Sequence, residues 1–490
     1  MNSAEVDRRR RRLLQSLGAL SLAGVLPGCG TGSGAAGGKP VLIVGAGMAG
    51  LTAANALNNA GIANIVIEGR DRIGGRLYTK DVGGIPIDLG ASWIHNPDGN
   101  PMTAFADAAS VTYAPADPTN DAATIEYHDA INPTAQQSDL AAAYANYNAF
   151  AQSENQWLGM LSNRASYKDG VERFLDSQPA TNAPDARRRT EQFIRFLFEA
   201  FDAGPWDKAS LYWDVNSPIV AYGGSEFGNF PDGGYVRLAR AMASGSDIRL
   251  SHKVTRVSVR DDGVFVSGLA GAAAFSLEGS HVIVTLPLGV MKARSVEFDP
   301  PLPASRLAAI DRIGLGHFEK VAMTFPAPFW QGAAGAKSHL YYVSANPDFP
   351  TEYSFALDYQ TFIGKPALVA VATADFAVHA AQQTPQANLA RMMEILREVY
   401  GSGIPDPLDY AVSGWATDEF SLGSYSNIPV GASPADMDEA GLPIGERLLI
   451  AGEHTYKERY GYSDGALSSG LREAQRLIGT GTATVKPGPA

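Results

Sequence analysis

A chain of 490 residues that is 45% hydrophobic and 18% charged can bury a large core, and it is long enough for two interleaved domains. Its net charge of −12 argues against a nucleic-acid partner and favours a cationic ligand. The single cysteine, Cys29, excludes an intrachain disulfide and a cysteine-rich metal site, and no metal is expected.

Residues 1–28 have the three-part pattern of an export signal: a basic run, Arg8 to Arg12, an apolar stretch, Leu13 to Leu26, and then Pro27-Gly28-Cys29. The apolar stretch is short for a membrane span. Arg10-Arg11-x-Leu13-Leu14 resembles the twin-arginine form, whose machinery exports folded proteins, and Leu26-Pro27-Gly28-Cys29 resembles a bacterial lipobox. The expected location is therefore the periplasm, with Cys29 as a point of lipid attachment to a membrane. The alternatives are a disordered basic tail, or a signal cut elsewhere with Cys29 incidental. Residues 29–39, rich in Gly, Ser and Ala, read as a flexible linker.

The stretch from Pro40 to Arg76 sets the fold class. Val41 to Val44 is a short apolar run of the kind found in a buried parallel strand. Gly45, Gly47 and Gly50 then supply G-x-G-x-x-G where that strand turns into a helix, Met48 to Ala60. The first glycine permits the tight turn, the second admits a pyrophosphate, and the third lets helix and sheet pack closely. A second apolar run, Asn64 to Ile67, ends at Glu68, 23 positions after Gly45, where an acid accepts hydrogen bonds from a ribose. The unit predicts dinucleotide binding.

The run continues as Glu68-Gly69-Arg70 and then Gly74-Gly75-Arg76. This E-x-R-x-x-x-G-G-R continuation resembles the flavin amine oxidase superfamily, in its polyamine oxidase and monoamine oxidase-like branch. The resemblance implies FAD, cradled by this run together with Ala49. It also implies an α/β fold: a Rossmann-like FAD-binding domain of the two-dinucleotide-binding-domain type, interleaved with an α+β substrate domain. Gly90-Ala91-Ser92-Trp93-Ile94-His95 is similar to the family segment that passes beside the flavin ring. By that resemblance His95 stands near the substrate amine, where an imidazole can hydrogen-bond or tune it.

From Val111 to Asn216 the glycine pattern disappears, and Ser138–Leu161 and Arg187–Phe201 have helical spacing. Trp206, Tyr212 and Trp213 read as core, and Glu226 as a solvated loop acid, with a polycation-facing role as its alternative. Pro231 to Tyr235 returns the chain to the cofactor domain before a helix, Val236 to Ala243. Ile248 to Val257 alternates as one strand, and by resemblance Val254 lays its backbone against adenine. His281 to Pro287 is the next buried strand.

Lys320 falls where the family keeps a lysine that hydrogen-bonds a water next to flavin N5. A buried ammonium is costly unless paired, so this position implies a purpose. Trp415 opens a second family landmark, which runs to Ser426. In it Ser424 replaces the cysteine that tethers flavin in mitochondrial monoamine oxidases, which implies non-covalent FAD. Gly452 and Glu453 match the diphosphate-contacting pair, and the helix starting near Ala466 would present its positive end to the flavin. Tyr425 and Tyr462 match the two walls of an aromatic cage, able to hold an amine by about 0.5–2 kcal/mol. His454 reads as structural.

The expected organisation is 40–110, 220–300 and 441–480 in the FAD-binding domain, 111–219 and 301–440 in the substrate domain, and 481–490 as a disordered tail. The expected activity is FAD-dependent oxidation of an amine, with a polyamine as substrate and oxygen as electron acceptor; oligomeric state is not legible. An L-amino acid oxidase or tryptophan monooxygenase, a monoamine oxidase and an envelope flavoprotein binding module are the alternatives. The first is weakened because Ala91-Ser92-Trp93 lacks the carboxylate-holding arginine of those relatives.

Overall fold

The computed structural model describes residues 38–116, 125–181, 183–331, 337 and 339–488. The predicted export signal, Cys29 and most of the predicted linker lie outside these described residues.

A parallel five-stranded sheet has the spatial order Leu448–Ile450, His281–Val284, Val41–Val44, Asn64–Ile67, Ile248–Arg249. The strand Val41–Val44 is buried along its whole length. Its alternate side chains enter different cores: Val41 and Ile43 join the helices, Leu42 and Val44 the cluster on the other face. Burial on both faces explains why the run is apolar without alternation. The helix Met48–Asn59 lies beside the helix Ser463–Ile478, and Gly470 makes that approach possible, since a Cβ there would sit 2.3 Å from Ala49 O.

One strand predicted from sequence is two. Ile248–Arg249 ends the parallel sheet, and His252–Arg260 enters an antiparallel one with Gly263–Ala270 and Ala273–Gly279. Between them Ser251 takes a left-handed φ of 56°. Ser251 N and His252 N donate to Arg70 O and Glu68 O at 2.8 Å each, so the chain changes sheets by bonding to the nucleotide turn.

A six-stranded sheet forms the other half, in the order Asp409–Val412, Phe318–Thr324, Ala367–Thr373, Phe355–Asp358, His339–Val343, Ile125–Asp129. The two helices expected at 138–161 and 187–201 are Gln137–Met160 and Pro184–Asp202. The second starts earlier because Pro184 occupies its first turn, where the missing N–H costs nothing. Trp206 is buried core. His454 is fully enclosed, and burial lowers its pKa to about 4, so it stays neutral near pH 7.

Residues 481–488, expected as a disordered tail, run along the helix Met48–Asn59. Asn55 Oδ1 accepts from Lys486 N at 2.8 Å, Asn59 Nδ2 donates to Thr484 O at 2.8 Å, and Gly488 N reaches Ala241 O. Ala483 and Val485 pack on the core there, and this apolar contact holds a segment whose composition reads as loose.

Candidate active site

A continuous cavity of about 1010 Å³ runs from the nucleotide turn to the six-stranded sheet. Among the residues assigned from sequence to the cofactor or the substrate amine, only Gly50 lies off its wall. Gly50 has a packing reason instead: a Cβ there would lie 2.0 Å from Gly45 O. Gly47 is the reverse case. Apart from its chain neighbours, no atom of the described residues lies within 4 Å of a Cβ at that position, so packing does not demand this glycine. The helix Met48–Asn59 starts there with no side-chain cap and no acid in its first turn, so its free N–H groups are available to an anion. An open glycine at an uncapped helix start fits the pyrophosphate of a dinucleotide.

Glu68 is buried at the end of its strand, where its carboxylate accepts from Ala46 N at 2.7 Å and Arg70 N at 2.8 Å. It shapes the turn and still lines the cavity. Arg70 is committed elsewhere: it grips Asp418 through two bonds, at 2.6 and 2.7 Å, below the rings of Trp415 and Phe420. Burial alone would raise the Asp418 carboxyl, but Arg70, together with Phe420 N and the Ser421 hydroxyl, more than reverses this, so Asp418 lies below the usual range. Arg70 thus ties the loop that carries Trp415 onto the nucleotide turn. Arg76 reaches Glu453 Oε1 at 3.0 Å and Ser424 O at 2.5 Å. Burial pushes Glu453 up, but Arg76 leads several partners that bring it below the ordinary value, so this carboxylate is ionised.

The segment Gly90 to His95 crosses the middle of the cavity. Gly90 is required, because a Cβ would sit 1.9 Å from Arg76 O and 3.2 Å from the Trp415 ring. Lys320 is buried beneath this segment. Its Nζ donates to Asp88 O at 2.9 Å, Gly90 O at 2.8 Å and Ser92 Oγ at 2.5 Å. The resemblance implied an ammonium that donates to a water, yet all three N–H bonds point at protein acceptors. A water at Nζ has to share or displace one of them, and only the Ser92 hydroxyl can turn away.

Tyr425 and Tyr462 both face the cavity. Tyr425 donates from its hydroxyl to Phe201 O at 3.0 Å, and burial holds its phenol well above the ordinary value. One face of Tyr462 is covered by Arg459, 4.1 Å from the ring centre, so only the other is open to a substrate cation. The His95 ring meets Tyr462 edge-on at 5.1 Å. Glu226 is no solvated loop acid: it is half-buried on the same wall, 3.4 Å from His95 Nδ1. Phe227, which the sequence reading did not single out, stacks on Trp93 at 4.3 Å. Its position follows from an antiparallel pairing in which His95 is opposite Phe227, a register no local pattern announces. Glu154, Asp202 and Asp214 also line the cavity.

A family model described as flavin containing amine oxidoreductase matches residues 48–478. "Lysine-specific histone demethylase 1 homolog 2" of Oryza sativa subsp. japonica is 31% identical over 445 residues, covering 89% of this chain and 57% of that protein. "Protein FLOWERING LOCUS D" of Arabidopsis thaliana is 34% identical over 450 residues, covering 89% and 55%. The chain thus spans a little more than half the length of each. A structure of putrescine oxidase bound to putrescine superposes with a TM-score of 0.69 at 21% identity, covering 90% of this chain and 99% of that one. At that identity the likeness shows the fold.

Proposed function

The chain belongs to the flavin-containing amine oxidoreductase family, and from that premise we propose that its substrate is a polyamine. It is an FAD-dependent amine oxidoreductase, with an amine and oxygen as its reactants. FAD held along the wall from Gly45 and Gly47 to Gly452 would supply the redox chemistry, the removal of a hydride equivalent from the carbon beside the amine nitrogen and the reduction of oxygen to hydrogen peroxide. Water hydrolyses the imine to a carbonyl compound and an amine.

The observation that carries the polyamine reading is the charge of the cavity wall. Each arginine on that wall is already paired: Arg70 with Asp418, Arg76 with Glu453, Arg459 with Asp464. Among the described residues no arginine on that wall is left to grip a substrate carboxylate, which disfavours an amino acid. Glu154, Asp202, Asp214 and Glu226 give the substrate end a negative lining that suits a second or third ammonium. Glu226 at His95 Nδ1 orients the imidazole, leaving Nε2 to take a proton from the amine that must be neutral to react. The open face of Tyr462 and the ring of Tyr425 align that amine.

Anaerobic bleaching of the flavin absorbance tests this reading, with spermine, spermidine, putrescine, phenylethylamine, several L-amino acids and a dimethyl-lysine peptide. Rapid bleaching by a polyamine is expected. Glu226→Gln should raise the polyamine concentration for half-maximal rate by about tenfold, near 1.4 kcal/mol, and change phenylethylamine little. Bleaching by amino acids alone, or by the peptide alone, would overturn the polyamine assignment.

Non-covalent FAD is part of the same proposal. The Ser424 hydroxyl accepts from Phe318 N at 2.8 Å and donates to Phe318 O at 3.1 Å, and serine forms no thioether. Acid precipitation should leave the flavin in the supernatant; yellow pellets would contradict it.

A further inference from the structure

We propose that Asp88 is the counter-charge of Lys320, and that it acts as a positioning residue by holding the proton on Lys320 Nζ. Both side chains are enclosed, Lys320 on the strand Phe318–Thr324 and Asp88 at the end of Ile85–Asp88. Strand alternation sends the neighbouring acid, Glu319, to the opposite face. There it accepts from Ser413 Oγ at 2.5 Å and Ala416 N at 2.8 Å, so it is not the partner of Lys320.

Around Nζ the structure offers two carbonyls, one hydroxyl and two aromatic rings, Trp93 at 5.2 Å and Phe318 at 5.8 Å. None of these carries a full negative charge, and an ammonium so enclosed needs one. The Asp88 carboxylate supplies it without an ion-pair contact. Its backbone carbonyl takes one N–H of Nζ, while its side chain accepts from Tyr235 N at 3.1 Å and from Thr79 Oγ1. Burial pushes Lys320 down and Asp88 up, and each charge restrains the shift of the other. The remaining titratable groups facing Asp88 are Tyr235 and Tyr359, both raised far by burial and so neutral near pH 7.

Ser92 lets the same heavy atoms serve either charge state of Lys320. With an ammonium, Nζ donates to Ser92 Oγ, and the hydroxyl turns to Gly90 O at 3.1 Å or Asp88 O at 3.3 Å. With a neutral amine, Nζ keeps both carbonyls and accepts from the same hydroxyl. No heavy atom needs to move, and although the ammonium makes the stronger, charge-assisted bonds, none of its acceptors is an ion. Asp88 adds the opposite charge.

The test is a pH titration by NMR of full-length holoenzyme carrying 13C at lysine Cε, with the Lys320 resonance assigned by its loss in Lys320→Met. Lys320 should titrate below the surface lysines. Asp88→Asn should lower its midpoint by about one pH unit or more, tenfold in the proton equilibrium. Thr79→Val leaves both charged groups in place and removes one donor to the carboxylate, so it should lower the midpoint less. An unchanged midpoint in Asp88→Asn, or a Lys320 that titrates with the surface lysines, overturns the proposal. If Asp88→Asn does not fold, Thr79→Val decides by the same criterion. The resonance reports Lys320 whether or not any amine bleaches the flavin, so failure here is distinct from failure of the substrate reading.

Discussion

Lys320→Met is expected to slow flavin reduction, reoxidation or both by at least about tenfold, or 1.4 kcal/mol of barrier, while FAD stays bound. Methionine keeps the length and apolar stem of lysine and removes only the charged end. The fold should tolerate this, because the Ser92 hydroxyl is already within reach of Gly90 O and Asp88 O and can satisfy one of them. The other carbonyl loses its donor, at about 1–3 kcal/mol of stability. What the site loses is a cation 5.2 Å from the Trp93 ring, on the segment that crosses the cavity. Stopped-flow bleaching without oxygen, followed by mixing with oxygen, separates the two half-reactions. Wild-type rates in both would remove Lys320 from the site's chemistry.

The second large effect separates two glycines of one motif. Gly47→Val should leave the stability of the cofactor-free protein within about 0.5 kcal/mol, since surface-type changes without a clash stay in that range. Its backbone is extended, with φ −79°, and apart from its chain neighbours no atom of the described residues lies within 4 Å of the new Cβ. The same variant should bind FAD about a hundredfold more weakly or worse, near 2.7 kcal/mol, because the side chain fills the space of the pyrophosphate. Gly50→Ala should do the opposite. Its Cβ would stand 2.0 Å from Gly45 O, a backbone atom that cannot step aside, so thermal stability falls before any ligand is added. Melting of the cofactor-free proteins and a titration with FAD give both results. Equal FAD affinity in Gly47→Val and wild type would remove the phosphate from this turn.

These contrasts show what could be read from sequence. The role of the nucleotide turn is local: strand, glycines, helix and Glu68 fall within a few turns of chain, and each has a mechanism tied to its spacing. Burial of Lys320 was also legible, through its apolar neighbours and the motif that the family resemblance supplied. Its hydrogen bonds were not, because Asp88 and Lys320 lie 232 positions apart and meet only through tertiary packing. Glu226 and His95 are 131 positions apart, and a loop-like composition hid a strand edge. The strand break at Ser251 was hidden for a related reason. Alternation continues through it, while the change of sheet depends on amides that find Glu68 and Arg70.

The strand order of the parallel sheet has a consequence for synthesis. Its central strand, Val41–Val44, is made some 240 positions before its neighbour His281–Val284, and the edge strand Leu448–Ile450 follows later still. Pairings so distant in sequence form slowly, because the loop must close before any contact rewards it. Until those strands are made the nascent chain carries an unfinished, apolar sheet edge, a species prone to aggregate and a natural client for chaperones. The helix Ser463–Ile478, which closes the cofactor side, is made after every strand of this sheet. The cofactor site is complete only once this helix has been made, and a chain cut short before residue 448 loses both the edge strand and the helix.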